Sequence, residues 1–179
     1  MMNTYKMRLE DNAKEYRCFV GNSKIIFVKA EMATYLEIGR RLHRLYGCSV
    51  IFVLGFGSTD ADKRIIEDFI ARNNIVDAQL FYVSHAMGCF DGLELASGGV
   101  LFKKMVLVNM PITDVLERTM GRFMAIPNSR VVVIFAERDR SFECVPLLKE
   151  KGMLNVEIFL SRDIYHSRKI AIDAFKEFG

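Results

Sequence analysis

No apolar run in the 179-residue sequence exceeds strand length, whereas a membrane-spanning helix needs about 20 consecutive apolar residues. The first residues, Met1 to Arg8, lack the apolar core of a secretory signal. The four cysteines, Cys18, Cys48, Cys89 and Cys144, show no CxxC spacing, and only three histidines are scattered among them. A zinc site is therefore not indicated, no metal or other cofactor is expected, and reduced thiols in a cytoplasmic protein are the expectation. The net charge is only +3, with Lys and Arg interspersed among Asp and Glu. There is no basic arm or stripe, which argues against nucleic acid as a partner. The Gly-x-Gly-x-x-Gly spacing of a dinucleotide site is absent. Without repeats, linkers or low-complexity stretches, one domain over 1–179 is expected.

What the chain does have is apolar content, 51% of residues, enough for a sizeable core. Tyr5, Met7 and Leu9 alternate with Lys6 and Arg8, a period of two that predicts a strand. With Tyr16 to Val20 and the turn residues Asp11-Asn12, it predicts an antiparallel hairpin at a sheet edge. Ile25 to Val28 is a continuous apolar run, as in a strand buried on both faces of a parallel sheet, and Ser49 to Leu54, Leu80 to Val83, Met105 to Val108, Arg130 to Phe135 and Val156 to Leu160 read as further strands. Between them come helical periodicities: Met32 to Tyr46, a helix with Ile65, Ile66, Phe69 and Ile70 inward, Phe90 to Ala96, and Arg168 to Phe178. Thr59 followed by Asp62 reads as a capping box for the second. Alternating strands and helices predict an α/β fold, a mostly parallel sheet with helices on both faces.

The stretch Phe81-Tyr82-Val83-Ser84-His85-Ala86-Met87-Gly88-Cys89 starts as a strand and ends in small residues that open a helix. A sharp strand-to-helix turn forces its central residue into a strained conformation, so its neighbours two positions away must be small. Ser84 and Gly88 meet that demand. The layout is that of a nucleophile elbow, with Ala86 at the nucleophile position.

Polar residues follow the strand ends in a telling order. Glu137-Arg138-Asp139 follows the penultimate strand and Asp163-Ile164-Tyr165-His166 the last. Together with Ser84-His85-Ala86-Met87-Gly88 and the loop Leu54-Gly55-Phe56-Gly57-Ser58, these motifs resemble the α/β-hydrolase family over nearly the whole chain. The resemblance implies that fold with an N-terminal antiparallel hairpin. The segment between Asn109 and Arg130 is short for a lid, which implies no cap domain and a shallow, open pocket. It also implies a small acyl-containing substrate, with His166 as general base and acid and Asp139 orienting its ring. The Met87 N–H would form half of an oxyanion hole, and the loop around Ala30 the other half. Ser58 is a candidate substrate contact. Two departures stand out: Ala86 has no nucleophilic atom, and Lys29-Ala30-Glu31 replaces the usual His-Gly pair.

Each of these residues also has a plainer role. His166 is alternatively a surface histidine and Asp139 a helix cap, with Glu137 and Asp163 as weaker stand-ins for the acid. His85 reads as a packing residue, His43 as solvated on a basic helix face, and Cys89 as a buried structural thiol. Ser84 should point away from the site, and Gly88 and Gly92 should serve close helix–sheet packing. Three functional readings follow. The first is a carboxylic ester or thioester hydrolase whose nucleophile is replaced, inactive as it stands. The second is a naturally non-catalytic protein, a pseudoenzyme binding a ligand or protein partner, with homo-oligomerisation open. The third, a nucleotide-binding or flavodoxin-like domain, is disfavoured because no glycine-rich phosphate loop follows the first parallel strand.

Overall fold

The structure, a computed structural model, describes residues 1–8, 13–31, 35–55, 59–110, 130–137, 146 and 156–179. The N-terminal hairpin forms as expected: β1 (Asn3–Arg8) pairs antiparallel with β2 (Ala13–Phe19), and Tyr5 lies opposite Tyr16. Strand β2 also runs antiparallel to β4 (Cys48–Leu54). The remaining strands are β3 (Asn22–Ala30), β5 (Gln79–His85), β6 (Phe102–Val108), β7 (Arg130–Ala136) and β8 (Val156–Ser161). They continue the sheet in parallel, giving eight strands in the order β1-β2-β4-β3-β5-β6-β7-β8.

Four α-helices appear among the described residues: α1 (Leu36–Tyr46), α2 (Thr59–Arg72), α3 (Gly88–Ser97) and α4 (Ile164–Asp173). The strand pleat divides the core into two layers. Ile25 and Phe27 of β3 face α2 and α3, joining Ile65, Phe69 and Leu93. Ile26, Val28 and Ala30 face the other way and join Leu36, Ile38 and Leu42 of α1 with Ala171 near the end of α4. Because consecutive side chains point to opposite faces, an uninterrupted Ile-Ile-Phe-Val run feeds both layers at once. No helix among the described residues is long and apolar enough to cross a membrane.

The boundaries at Ala30 and at both ends of α4 differ from the sequence reading. Helix α1 is described from Leu36, and residues 32–34, where the periodicity began, lie outside the described set. Lys29 and Ala30 belong to β3 itself, so the expected loop around Ala30 is a strand end; its carbonyl accepts the Gly55 N–H at 3.0 Å. Helix α4 begins four residues earlier than its apolar stripe, because the Asp163 side chain caps it by accepting the His166 N–H at 2.8 Å. A capping carboxylate satisfies backbone donors that otherwise lack partners, and so fixes where the helix starts. The C-terminal part of the predicted stripe packs without staying α-helical: Phe175 and Phe178 both meet the Phe81 ring edge-on, and Lys176–Phe178 is a 3-10 turn.

Chain direction locates the crevice. From β3 the chain crosses to β4 on one side, then returns past β3 to β5 on the other. In open α/β sheets, ligands bind at the carboxyl ends of strands where the order reverses in this way. Here that point lies between the ends of β3 and β5, where Ala30 and Ala86 sit.

Candidate functional site

Ala86 adopts φ of +51°, the left-handed region that costs a residue with a Cβ about 1–2 kcal/mol. Its N–H donates to Val108 O of β6 at 2.9 Å, and its carbonyl accepts the Cys89 N–H at 3.1 Å. One bond ends the strand and the other begins the helix, which makes the turn sharp. The small neighbours are required as expected. A Cβ on Gly88 would lie 2.8 Å from the Lys29 carbonyl oxygen and 3.3 Å from the Ser84 Cβ. The buried Tyr82 hydroxyl donates to Gly88 O at 2.7 Å and holds the first turn of α3 against β5.

The side chains around the elbow are inert. Ser84 is fully buried and its hydroxyl points to the Cys89 sulfur at 3.4 Å, away from the turn. Burial pushes the Cys89 thiol up to about 12, which leaves almost no thiolate at neutral pH. His85 stacks on Tyr35, with ring centroids 4.6 Å apart. Met87, the N-cap of α3, keeps its side chain 47% exposed. Its N–H makes none of the turn and loop bonds among the described residues.

The site also holds a charged cluster that sequence reading missed. Lys29 is fully buried on the face of β3 that carries Ile25 and Phe27. It pairs with the equally buried Asp62 of α2, and its Nζ lies 2.8 Å from Oδ2 of Asp91 on α3. The Asp91 oxygen is buried without an aligned hydrogen bond, so this second contact is Coulombic. One ammonium thus joins a strand to both helices that cover it, and Asp62 has a role beyond the capping box read for it. The signal was present: Asp62 precedes Ile65, Ile66 and Phe69 by helical spacing, which places it on the inner face, and Lys29 follows Phe27 by two.

His166 lies in the first turn of α4, not in a preceding loop. Its Nδ1 accepts the Arg162 backbone N–H at 3.1 Å. A nitrogen that accepts carries no proton, so the neutral ring is protonated at Nε2. Asp163 is committed to capping the helix, and Glu137 is exposed, its N–H donating to Ser161 O at 2.9 Å. Asp139 and Ser58 lie outside the described residues. His43 is not a solvated residue: its ring stacks on Phe19 and its Nδ1 lies 2.8 Å from Cys48 O. Cys18, Cys48 and Cys89 are free thiols, and Cys144 lies outside the described residues. Among the described residues no group of acidic, histidine and cysteine side chains is placed to hold a metal.

No protein-family model matches the sequence, and no curated protein does. Solved structures do match in shape. A cold-adapted esterase from an Arctic intertidal metagenomic library superposes with a TM-score of 0.77 at 11% identity, covering 98% of this chain and 93% of its own. The thioesterase domain from the curacin biosynthetic pathway gives 0.68 at 11% identity, with 98% of both chains covered. A CIB-like hydrolase from Thermoplasma acidophilum gives 0.69 at 9% identity, with 99% of both covered. At such identities the likeness is one of fold, and the fold, with its antiparallel N-terminal pair and strand-to-helix elbow, is that of the α/β-hydrolases.

Proposed function

We propose that this chain is a carboxylic ester or thioester hydrolase in architecture whose nucleophile position is occupied by Ala86, so that it binds acyl compounds without forming an acyl-enzyme. The observation that carries the reading is the φ of +51° at Ala86. A left-handed alanine is strained. It is the conformation that lifts a residue's Cβ out of the sheet towards an approaching substrate. The names of the structural neighbours, esterases and a thioesterase among them, support the substrate class.

On this reading a serine hydroxyl at position 86 would attack the acyl carbonyl. His166 would take its proton and pass it to the departing alcohol or thiol, and water would release the acid. Met87 N–H and the β3 end at Ala30 would face the developing oxyanion, Asp139 would orient His166, and Ser58 would touch substrate. The Nδ1 bond from Arg162 N–H favours the second reading, a non-catalytic ligand-binding protein. A base working through Nε2 needs its proton on Nδ1, so the ring must first give up that contact.

Ala86→Ser decides between them. The hydrolase reading expects the variant to label with a fluorophosphonate probe and to turn over short-chain acyl esters or thioesters, with both lost in Ala86→Ser/His166→Ala. A folded Ala86→Ser protein that stays unlabelled and inert on every acyl length leaves the non-catalytic reading in place.

A further inference from the structure

Helices α1 and α4 pack side by side, and both start at the carboxyl edge of the sheet, where the elbow lies. Between them runs a groove of about 180 Å³. Among the described residues its charged lining is Arg41 of α1 with Arg168 and Lys169 of α4, against one carboxylate, Glu37, which already faces Arg40 at 3.7 Å. Among the described residues, none of the three cations has a carboxylate within ion-pair distance. The Arg168 guanidinium is held in place: it lies 4.8 Å from the Tyr165 ring centre, and its Nε donates to Ile164 O at 3.4 Å. That leaves its two terminal nitrogens for an oxyanion.

We propose that this groove is an anion subsite for a phosphate-bearing substrate, so that the ligand of the elbow is an acyl compound carrying a phosphate on its remote end. The acyl half of this statement rests on the function proposed above; the phosphate half rests on Arg41, Arg168 and Lys169 in the groove alone. Clustered cations with no carboxylate partner among the described residues repel one another, and a phosphate oxyanion would relieve that repulsion while taking charge-assisted bonds from all three. The Tyr165 ring lines the same groove and gives it an apolar face.

The unaltered protein makes the test direct, because Ala86 prevents turnover and intact ligands can be titrated. Calorimetry with inorganic pyrophosphate is expected to show one site, weakened about tenfold or more by Arg168→Ala/Lys169→Ala and weakened by raising the salt. Arg41→Glu, an exposed position that cannot disturb the core, should abolish binding in a protein of unchanged circular dichroism. Acetyl-coenzyme A, a phosphate-bearing thioester, should bind at least about tenfold more tightly than the uncharged S-acetyl-N-acetylcysteamine. Pyrophosphate binding that is absent, or insensitive to Arg41→Glu, overturns the subsite. Equal affinity for the two thioesters overturns the substrate assignment. Either failure is separate from failure of the hydrolase reading, which is read from labelling of Ala86→Ser without any phosphate compound.

Discussion

Lys29 reaches from the end of β3 to Asp91, six residues into the elbow and helix that begin at Ala86, its Nζ 2.8 Å from the Asp91 carboxylate. With Asp62 on the other side, a single buried ammonium fixes two helices to the strand that ends at the crevice. Removing one member of a buried ion pair leaves a charge with neither water nor partner, at a cost of about 3–5 kcal/mol. Lys29→Met should therefore lower the unfolding free energy by about that much. Lys29→Met/Asp62→Leu/Asp91→Leu should recover most of the loss, since an apolar replacement of the whole cluster strands no charge. Urea denaturation of the two proteins checks this; equal destabilisation would mean that the ammonium is not paired as described.

Gly88 is constrained by backbone, not by a side chain that can swing aside. Its missing Cβ would sit 2.8 Å from the Lys29 carbonyl oxygen. Gly88→Ala should cost about 1–3 kcal/mol by overpacking and shift α3 away from β3. The thermal midpoint measures the first effect. Loss of fluorophosphonate labelling in an Ala86→Ser background measures the second.

At Ala86 the expected sign is reversed. Glycine adopts φ of +51° without the penalty that alanine bears, about 1–2 kcal/mol, and loses about 0.5–1 kcal/mol of that advantage to chain entropy. Ala86→Gly should stabilise the fold by up to about 1.5 kcal/mol. A clear destabilisation in chemical denaturation would contradict the left-handed conformation.

Burial raises the thiol of Cys18 to about 11 and those of Cys48 and Cys89 to about 12, against about 8.5 for a thiol in the unfolded chain. Below about pH 8.5 all three are protonated in both states, and their contribution is fully present. As the pH rises further, the unfolded chain loses these protons first and is favoured, so stability falls until the folded thiols titrate near pH 11–12. Unfolding free energies should decline from pH 8.5 upwards, and replacement of the three cysteines by alanine or valine should flatten the decline. At pH 8 a thiol reagent should react with these three only after denaturation.

Much of the architecture was determined by the sequence alone, for a local reason. Apolar runs such as Ile25 to Val28 can only be buried on both faces, a period of two at Tyr5, Met7 and Leu9 can only be a strand with one face covered, and Ser84-x-Ala86-x-Gly88 allows a turn too tight for larger residues. The elbow at Ala86, the packing roles of Gly88 and Cys89, and the inward Ser84 follow from such short-range sterics and are found in the structure. What only the tertiary structure decided involves residues distant in the chain. Lys29 reads as part of a loop, Asp62 as a helix cap, and spacing places both side chains inward at most; only the stacking of α2 and α3 on β3 brings one ammonium between two carboxylates. The start of α4 was set by the Asp163 cap, not by its apolar stripe, and so His166 stands inside a helix with its Nδ1 on Arg162. Periodicity reports which face of an element is buried. It carries no information on which charges meet across elements, because that depends on how strands and helices are ordered in space.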